Sequence, residues 1–426
     1  MRKLTRGSAI ALILVASIGA AFQSQADTLT RDAPESAGMS GDRLERLSGA
    51  MQGLVDDGRL AGITTMIARH GSIVHFETFG HQNIGKDIPM AEDSIFRIFS
   101  MTKPITGVAL MMLYEDGLFR LSDPVEKYIP EFKGLVVAAG EDEDGIVTEP
   151  ADHPMTIREL MSHTAGLTYG GFSQSAVDTK YREAGVLDTD STLEDMIHKL
   201  SGIPLRQQPG TIWHYSVAVD VQGYLVEVLS GQRFDDFLSE HIFEPLGMTD
   251  TAFHVPPDKA DRFAAVYTYD EDGTLQAPSQ GLGRRNYLEQ PNFLSGGGGL
   301  VSTTDDYMRF CQMLLNGGEL DGVRLLAPLT VELMHRNHLP RDYPEMRAGG
   351  GTGFGLDFAV VMDPVAADSI SAGEYYWGGA AGTWFWIDPK EDLIFVGMIQ
   401  QFGQGRPDVR SLSRRLTYQA ILEPSP

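Results

Sequence analysis

Cysteine is almost absent from this chain, since a single residue, Cys311, stands among 426. With no partner it cannot form an internal disulfide, and a zinc site built on paired cysteines is excluded as well. Cys311 lies in an apolar helical pattern at residues 307–311, which predicts a small buried side chain. Because 42% of the residues are hydrophobic, the chain can form a large packed core, in one big domain or two.

Positive charge is also scarce. The sequence has 34 lysines and arginines against 58 acidic residues, which gives a formal net charge of −24. No basic run occurs after the first six residues. Nucleic acids and anionic membrane surfaces are recognised by basic patches, so neither is an expected partner. The composition indicates no particular oligomeric state.

Long hydrophobic runs are missing except at residues 9–18. That run follows Arg2, Lys3 and Arg6, and small residues precede a cleavage point after Ala26. The pattern predicts a signal peptide over residues 1–26 and export to the periplasm or the medium. The run is too short to span a bilayer comfortably, so no stable membrane insertion is expected after cleavage. An uncleaved N-terminal anchor is the alternative.

Several catalytic motifs are missing too. The chain has no Gly-x-Ser-x-Gly, the nucleophile elbow of α/β-hydrolases, and no His-Glu-x-x-His. His335 and His338 share a helical spacing, but no third ligand is evident, so no metal or organic cofactor is expected. The glycine run at residues 296–299 lacks a following Gly-Lys-Ser/Thr, which favours close backbone packing over a phosphate cradle. His163 is interpreted as a hydrogen-bonded residue at a helix end rather than a catalytic base.

The clearest positive signal is a serine and a lysine three residues apart, Ser100 and Lys103, followed directly by Pro104. Apolar residues then recur at helical spacing to about residue 117. Proline is tolerated in the first turn of a helix, so a helix is predicted to start near Ser100. Lys103 then lies one turn on and on the same face, where an amine can assist a serine nucleophile. The alternative is a helix-capping serine beside a solvated lysine.

Two further segments can complete such a site. Tyr215 follows a Pro-Gly turn and precedes a predicted helix, a position suited to presenting its hydroxyl for proton transfer. The Trp-Gly-Gly-Ala-Ala-Gly segment at residues 377–382 directly precedes a predicted strand, and its glycines let a backbone N–H approach a substrate oxygen. The alternatives are a packed tyrosine with a wet hydroxyl and an ordinary turn with Trp377 in the core.

Short β-rich runs lie at both ends of the chain, and helical patterns fill the middle. The predicted elements are a helix at 40–59, a hairpin at 63–79, strands at 354–361, 383–387 and 393–400, and a last helix at about 408–422. This order predicts an α+β fold whose antiparallel sheet is built from both chain ends, is flanked by helices and carries an inserted, mostly helical region. The predicted division is an α/β domain over 27–98 and 296–426 and a helical domain over 99–295, with the active site at their interface.

Taken in order, these motifs resemble the serine β-lactamase and penicillin-binding protein superfamily. Within it, the chain most resembles the family VIII carboxylesterases, which are similar to class C β-lactamases. Ser-Met-Thr-Lys at 100–103 matches the nucleophile motif, Tyr-Ser-Val at 215–217 occupies the position of Tyr-x-Asn, and Trp-Gly-Gly at 377–379 that of Lys-Thr-Gly. Segments 160–167 and 295–300 are also family-like. The resemblance covers essentially the whole mature chain and implies a β-lactamase/transpeptidase-like fold.

The resemblance also implies roles for single residues. Ser100 would be the acylated nucleophile, and Lys103 and Tyr215 would share the proton transfers. Which of those two is the general base is left open. The backbone N–H groups of Ser100 and Ala380 would form the oxyanion hole. The residues that would contact the substrate are Trp377, Gly378, Gly379 and Val217.

Two departures from the β-lactamase pattern bear on the substrate. Val217 stands where a β-lactamase has an asparagine, and Trp377 stands where it has a lysine that attracts the substrate carboxylate. Losing a charge-assisted hydrogen bond costs about 1.5–3 kcal/mol, so neutral esters are favoured over β-lactams. The predicted function is a serine carboxylesterase that hydrolyses short-chain acyl esters through a Ser100 acyl-enzyme, with weak hydrolysis of β-lactams such as cephalosporins. The alternatives are a class C-like β-lactamase or D-amino-acid peptidase, and a non-catalytic sensor that stays acylated.

Overall fold

The computed structural model describes residues 29–143, 145–171, 173–270, 272–276, 285–403 and 405–425. The signal peptide predicted over residues 1–26, with its cleavage site after Ala26, lies outside these ranges and stays a prediction. Within the described ranges, no helix combines the length and the apolar character needed to cross a bilayer.

A mixed sheet of nine strands forms the centre of the described fold. The strands in chain order are β1 (Thr30–Arg31), β2 (Gly62–Arg69), β3 (Ser72–Asn83), β4 (Ile88–Pro89), β5 (Phe96–Arg97), β6 (Val136–Asp142), β7 (Gly145–Pro150), β8 (Thr268–Tyr269), β9 (Leu275–Gln276), β10 (Val301–Ser302), β11 (Glu319–Leu320), β12 (Val323–Arg324), β13 (Thr352–Phe354), β14 (Ala359–Val361), β15 (Tyr375–Gly378), β16 (Trp384–Asp388) and β17 (Leu393–Met398). The central sheet has the order β1-β3-β2-β17-β16-β15-β14-β13, and β4 pairs with β3.

The two ends of the chain meet in the middle of this sheet. Strand β2 pairs with β17 from Thr64↔Met398 to Arg69↔Leu393. Pairing is antiparallel throughout the described sheet except between β1 and β3, which run parallel. The predicted sheet built from both chain ends is therefore confirmed, and so is the predicted hairpin, which is β2 and β3.

Helices cover both faces of the sheet. Most of them belong to the part of the chain between the N-terminal and the C-terminal strands of the sheet. They are α1 (Gly41–Asp56), α2 (Thr102–Glu115), α3 (Ile157–Met161), α4 (Ala176–Glu183), α5 (Leu193–Ser201), α6 (Ala218–Ser230), α7 (Phe234–Leu238), α8 (Glu244–Leu246), α9 (Thr304–Leu315), α10 (Pro328–Met334) and α11 (Val409–Tyr418), with a π-helical turn at Ser239–Phe243. The predicted α+β class is confirmed. The predicted domain boundaries stay a prediction.

Strand β16 shows why a central strand of this sheet is apolar at consecutive positions, here from Trp384 to Ile387. Trp384 and Trp386 pack in the core shared with α1 and α11. Phe385 and Ile387 pack on the opposite side, in the core that includes α2 and α9. Successive side chains of a strand point to opposite faces. A strand covered on both faces therefore needs apolar residues at every position rather than at alternate ones.

Two predicted segments differ from the structure. Residues 354–361 form two strands, β13 and β14, joined by a turn in which Asp357 has a φ of +66°. The acidic composition of residues 141–145 predicts a solvated loop, whereas its described residues, 141–143 and 145, belong to the exposed hairpin of β6 and β7. Sequence periodicity indicates neither feature. A β-rich composition does not reveal the tight turn between β13 and β14, and the exposed strands β6 and β7 need no apolar face.

Candidate active site

Ser100 lies between strand β5 and helix α2. Residues Phe99–Met101 form a 3₁₀ turn, and α2 begins at Thr102. The helix start that Pro104 predicts is thus found within two residues. Helix α2 is buried along most of its length, so the serine is carried by a rigid element of the core.

The residue before the nucleophile has a strained backbone. Phe99 has a φ of +44°, in the left-handed region that costs free energy for a residue with a side chain. Its ring packs edge-on against Phe402 at 5.3 Å and Tyr287 at 6.5 Å between ring centroids. These contacts hold the turn, and Ser100 stays partly exposed at the wall of a cavity.

Lys103 is fully buried beneath Ser100. Its Nζ donates to the hydroxyl of Tyr169 at 2.9 Å and to the carbonyl of Gly297 at 2.5 Å. The same atom lies 4.7 Å from the ring centroid of Tyr215. The described hydrogen bonds of Lys103 therefore run to the groups around the serine rather than to the Ser100 hydroxyl.

The charge state of Lys103 follows from these neighbours. Burial by itself lowers the pKa of the ammonium group. The electrostatic effect of three oxygen-bearing side chains, Tyr169, Tyr215 and Asp220, outweighs burial and raises the pKa of Lys103 above its ordinary value. Lys103 is therefore held as an ammonium ion, which bears on the choice of base that the sequence left open.

Tyr215 is the side chain that contacts the serine hydroxyl directly. Its phenolic oxygen donates to Ser100 Oγ at 2.7 Å. The ring lies among aromatic neighbours, with centroid distances of 5.3 Å to Tyr169, 5.5 Å to Trp377 and 4.9 Å to His163. This packing restricts the ring, so the phenol is positioned before a substrate arrives.

His163 lies behind this ring. It is buried, and its Nδ1 lies 3.2 Å from Ser216 Oγ. Burial lowers the pKa of His163 well below its ordinary value, which keeps the imidazole neutral. The interpretation of this residue as a hydrogen-bonded histidine just beyond a helix is confirmed.

Sequence reasoning missed Tyr169. It receives a hydrogen bond from Lys103, and burial raises the pKa of its hydroxyl, an effect that Lys103 opposes. The only sequence signal is its position two residues after the family-like segment 160–167. Periodicity does not mark it, because Tyr169 lies in a loop and meets Lys103 only through the tertiary fold.

The glycine run packs directly against helix α6. A Cβ at Gly296 would lie 2.5 Å from the carbonyl of Val219, and one at Gly297 would lie 2.6 Å from Asp220 Oδ2. Asp220 Oδ1 accepts from the backbone N–H of Gly297 at 3.0 Å and from Ser295 Oγ at 2.5 Å. Close packing is thus the role of these glycines, as predicted, and it brings the Gly297 carbonyl to Lys103.

A second buried carboxyl group lies against α2 one turn beyond Lys103. A Cβ at Gly107 would come within 2.7 Å of Asp357 Oδ2. Gln222 Nε2 donates to the other oxygen, Oδ1, at 3.1 Å. Oδ2 of Asp357 and Oε1 of Gln222 have no hydrogen-bond partner among the described residues. Burial raises the pKa of Asp357 well above its ordinary value, which favours the protonated acid.

Replacing this group by Asp357→Asn is expected to raise the melting temperature, and more at pH 8 than at pH 5. The folded protein keeps the Asp357 proton at pH values where the unfolded chain, with a carboxyl pKa of about 3.9, has lost it. Wild-type stability therefore falls as pH rises from the unfolded pKa towards the raised folded pKa, whereas asparagine does not ionise. Thermal unfolding followed by circular dichroism at both pH values measures the difference.

The exposed Asp342 provides the matched control, since Asp342→Asn removes the same charge at the surface. Its melting temperature should show no such pH-dependent gain. A constant difference between Asp357→Asn and the wild type at all pH values would mean that Asp357 does not hold a proton in the folded state.

The segment at residues 377–382 forms the end of β15 and the turn into β16. Gly379 is pressed against the backbone of Ile98, since a Cβ there would lie 2.4 Å from the Ile98 carbonyl. Its N–H donates to the Thr383 carbonyl at 2.8 Å, which closes the turn. Ala380, the next residue, is exposed and lines the same cavity as Ser100.

The other residues that were predicted to contact the substrate lie in or next to strand β15 and at the start of helix α6. Trp377 and Gly378 belong to β15, and the Trp377 ring packs on Phe354 at 5.4 Å as well as on Tyr215. Val217 is fully buried at the start of α6, where its N–H donates to the Thr168 carbonyl at 3.3 Å. Val217, Trp377, Gly378 and Gly379 are not among the residues that line the cavity.

The cavity above Ser100 has a volume of about 410 Å³, which suits a small organic molecule. Beside Ser100, Tyr215 and Ala380 its wall contains Phe99, Leu187 and Phe293, so the lining is mostly apolar. In the described part of the chain, no group of three or more His, Cys, Asp or Glu side chains is arranged to hold a metal ion. The arrangement presents a serine, a phenol and a buried ammonium to one small cavity.

Known proteins resemble this chain over most of its length. The family profile "Beta-lactamase" matches residues 47–419. Protein Rv1367c of Mycobacterium tuberculosis is 36% identical over 81% of this chain and 87% of its own length. Esterase EstB of Burkholderia gladioli is 31% identical over 80% of this chain and 86% of its own length. Among solved structures, that of EstCE1, a hydrolase with promiscuous acyltransferase activity, superimposes with a TM-score of 0.76 at 28% identity, covering 90% of this chain and 99% of that protein.

Proposed function

This chain belongs to the beta-lactamase family and is a carboxylic ester hydrolase, and we propose that it hydrolyses short-chain acyl esters through an acyl-enzyme on Ser100. The observation that carries the proposal is the 2.7 Å hydrogen bond from Tyr215 to Ser100 Oγ, above a buried Lys103. A serine hydroxyl is a weak nucleophile until a neighbouring base removes its proton. The phenol in contact with it is the group placed to exchange that proton.

In the proposed first step Tyr215, once it has given up its own proton, accepts the proton of Ser100, so the serine becomes the donor of the hydrogen bond that Tyr215 donates in the structure. The Lys103 ammonium lies 4.7 Å from the centre of the Tyr215 ring. A positive charge at that distance stabilises the negative charge that the phenolic oxygen carries while it acts as the base. Lys103 thus supplies charge, and Tyr215 takes the proton of Ser100 as the serine oxygen attacks the ester carbonyl.

The developing oxyanion needs donors that are already in position. The backbone N–H groups of Ser100 and Ala380 are proposed for this role, which is supported by the position of both residues in the wall of one cavity. One such donor is worth about 10²–10³ in rate. Tyr215 then returns its proton to the leaving alcohol, and water attacks the acyl-enzyme with Tyr215 again as base.

The residues at positions 377 and 217 both favour short-chain esters over β-lactams. The tryptophan at position 377 contributes no charge that could attract a β-lactam carboxylate, and its ring packs on Tyr215 and Phe354. The valine at position 217 is buried and offers no amide to a substrate. Slow opening of cephalosporins remains part of the proposal, because acylation of Ser100 would follow the same steps.

Steady-state hydrolysis of 4-nitrophenyl butyrate and of a chromogenic cephalosporin by the wild type tests this proposal. The value of kcat/KM for the ester is expected to exceed that for the cephalosporin by at least about tenfold, the size of one lost charge-assisted hydrogen bond. Enzyme pretreated with a serine-directed phosphonate gives the blank. Faster turnover of the cephalosporin would favour the β-lactamase alternative. A stable acyl adduct with no turnover of either compound would favour the sensor.

A further inference from the structure

A single charged side chain, Arg285, lies among the residues described as lining the Ser100 cavity. No acidic residue lies in that lining. The guanidinium group stacks on Tyr287, with its central carbon 4.1 Å from the ring centroid. Tyr287 in turn packs against Phe99, the residue before Ser100. The cation therefore belongs to the same wall as the nucleophile.

The charge of Arg285 has no carboxylate to balance it among the described residues. One nitrogen, Nη2, donates to the backbone carbonyls of Phe253 and Gly299. Nε is buried without a hydrogen-bond partner among the described residues. Burial lowers the pKa of Arg285, and Tyr287, which opposes this effect, is the sole other contributor. A partly buried cation without a nearby carboxylate gains from binding an anion, and such an anion can reach Arg285 from the cavity.

A second, half-buried arginine lies on the same aromatic ring and adds to the local positive charge. Arg97 lies 5.2 Å from the ring centroid of Tyr287 and 3.9 Å from that of Phe263. Burial and the nearby charge of Arg285 together lower the pKa of Arg97 to about 10, against the opposing effect of Tyr287. Its Nη1 donates to the Ala264 carbonyl at 2.8 Å, and no acidic side chain is among the causes of its shift. Two guanidinium groups thus share one aromatic ring in a strongly acidic protein.

The aromatic rings compensate part of this charge by cation–π attraction, but they cannot neutralise it. We propose that Arg285 binds a carboxylate carried by the ester substrate, so that the preferred substrates are esters with an acidic group at the end opposite the scissile bond. A guanidinium presents its donors in a plane that matches the two oxygens of a carboxylate. This inference rests on the proposed esterase function. It restricts the preferred substrates to esters that carry an anionic group. The overall negative charge of the protein repels anions, whereas the local positive charge of Arg285 attracts one.

Matched chromogenic esters test the proposal. 4-Nitrophenyl butyrate is compared with 4-nitrophenyl hydrogen glutarate, which carries the carboxylate on the acyl chain, and phenyl butyrate with 4-(butyryloxy)benzoate, which carries it on the alcohol. In Arg285→Met, the ratio of kcat/KM for the anionic ester to that for its neutral counterpart is expected to fall about tenfold to a hundredfold in one of these pairs. The pair that responds shows which side of the ester faces Arg285. The change should appear mainly in KM, because the lost contact binds substrate and transition state alike.

Two further variants separate local charge from other effects. Arg285→Lys keeps the positive charge and should retain most of the preference for the anionic ester. Arg324→Met removes one positive charge from an exposed ion pair with Glu319 and should leave the ratio as in the wild type. An equal loss on neutral and anionic esters in Arg285→Met would overturn the proposal, since it would mean that Arg285 only supports Tyr287.

Binding to the Ser100→Ala protein provides a readout that does not depend on turnover. Calorimetric titration with glutarate is expected to give a dissociation constant at least about tenfold larger for the double variant Ser100→Ala/Arg285→Met than for Ser100→Ala. Unchanged affinity would contradict carboxylate binding even if the enzyme proves to be an esterase. Conversely, ester hydrolysis that survives Ser100→Ala would contradict the proposed function. The glutarate titration would still show whether Arg285 binds a carboxylate.

Discussion

Replacing Ser100 by alanine is expected to lower kcat for ester hydrolysis by about 10⁵–10⁶-fold, the size of effect seen when the nucleophile of a serine hydrolase is removed. The hydroxyl is the group that would carry the acyl chain, and its contact with Tyr215 at 2.7 Å is the link through which its proton would leave. The measurement is the steady-state hydrolysis of 4-nitrophenyl butyrate by purified wild type and variant at equal folded concentration.

Ser295 provides the matched control because its hydroxyl belongs to the same cavity wall but hydrogen-bonds Asp220. Ser295→Ala is expected to cost less than about tenfold, the value of one neutral hydrogen bond. Intact-protein mass after treatment with a fluorophosphonate should show one adduct in the wild type and in Ser295→Ala, and none in Ser100→Ala. Full ester turnover by Ser100→Ala would refute the whole site assignment.

Removing the hydroxyl of Tyr215 is the second large effect. Tyr215→Phe is expected to lower kcat by about 10²–10⁴-fold, the usual contribution of a general acid or base. The phenylalanine ring retains the contacts with Tyr169 and Trp377, so the packing of the site is preserved. Because the same hydroxyl would serve acylation and deacylation, kcat and kcat/KM should fall together. Single-turnover measurements of 4-nitrophenol release and of acyl-enzyme decay would separate the two steps.

Tyr169 supplies the control that makes this result specific. Both tyrosines lie beside Lys103, but the described contact with the serine hydroxyl belongs to Tyr215. Tyr169→Phe removes a hydroxyl that accepts from Lys103 and is expected to cost at most about tenfold. If Tyr169→Phe were as damaging as Tyr215→Phe, the proton would instead move through Lys103 and Tyr169, and the assignment of the base would have to change.

Much of the fold was predictable because each element depends on local rules. Pro104 predicts the start of α2 since proline is tolerated only in the first turn of a helix. The hairpin of β2 and β3 was predicted from two β-rich runs and a short polar turn. The turn at Asp357 was missed, because a left-handed residue between two short strands leaves no periodic signal and is held by contacts with Met161 and Gln222 from distant helices.

The residues of the candidate site also fall into two groups, those that local sequence rules indicate and those that only the fold brings together. Ser100 and Lys103 could be singled out because the helix period puts residues three apart on one face, and Tyr215 and the segment 377–382 because turn residues mark where each enters a helix or a strand. Ala380 was named only from the family resemblance. Tyr169 and Arg285 could not, since each lies in a loop with no distinguishing pattern. They become part of the site only because the fold brings Tyr169 to Lys103 and Arg285 to the cavity wall that contains Ser100.

By itself, the sequence determined that Lys103 lies one helical turn after Ser100 and that the sheet is built from both ends of the chain, because helix spacing and apolar periodicity are local properties. Only the tertiary structure surrounds Lys103 with Tyr169, Tyr215 and Asp220, and only it brings Arg285, which has no carboxylate partner among the described residues, to the cavity wall of Ser100. The physical reason is that a buried charge responds to its surroundings in three dimensions. Desolvation and the potential of neighbouring groups depend on residues far apart in the sequence.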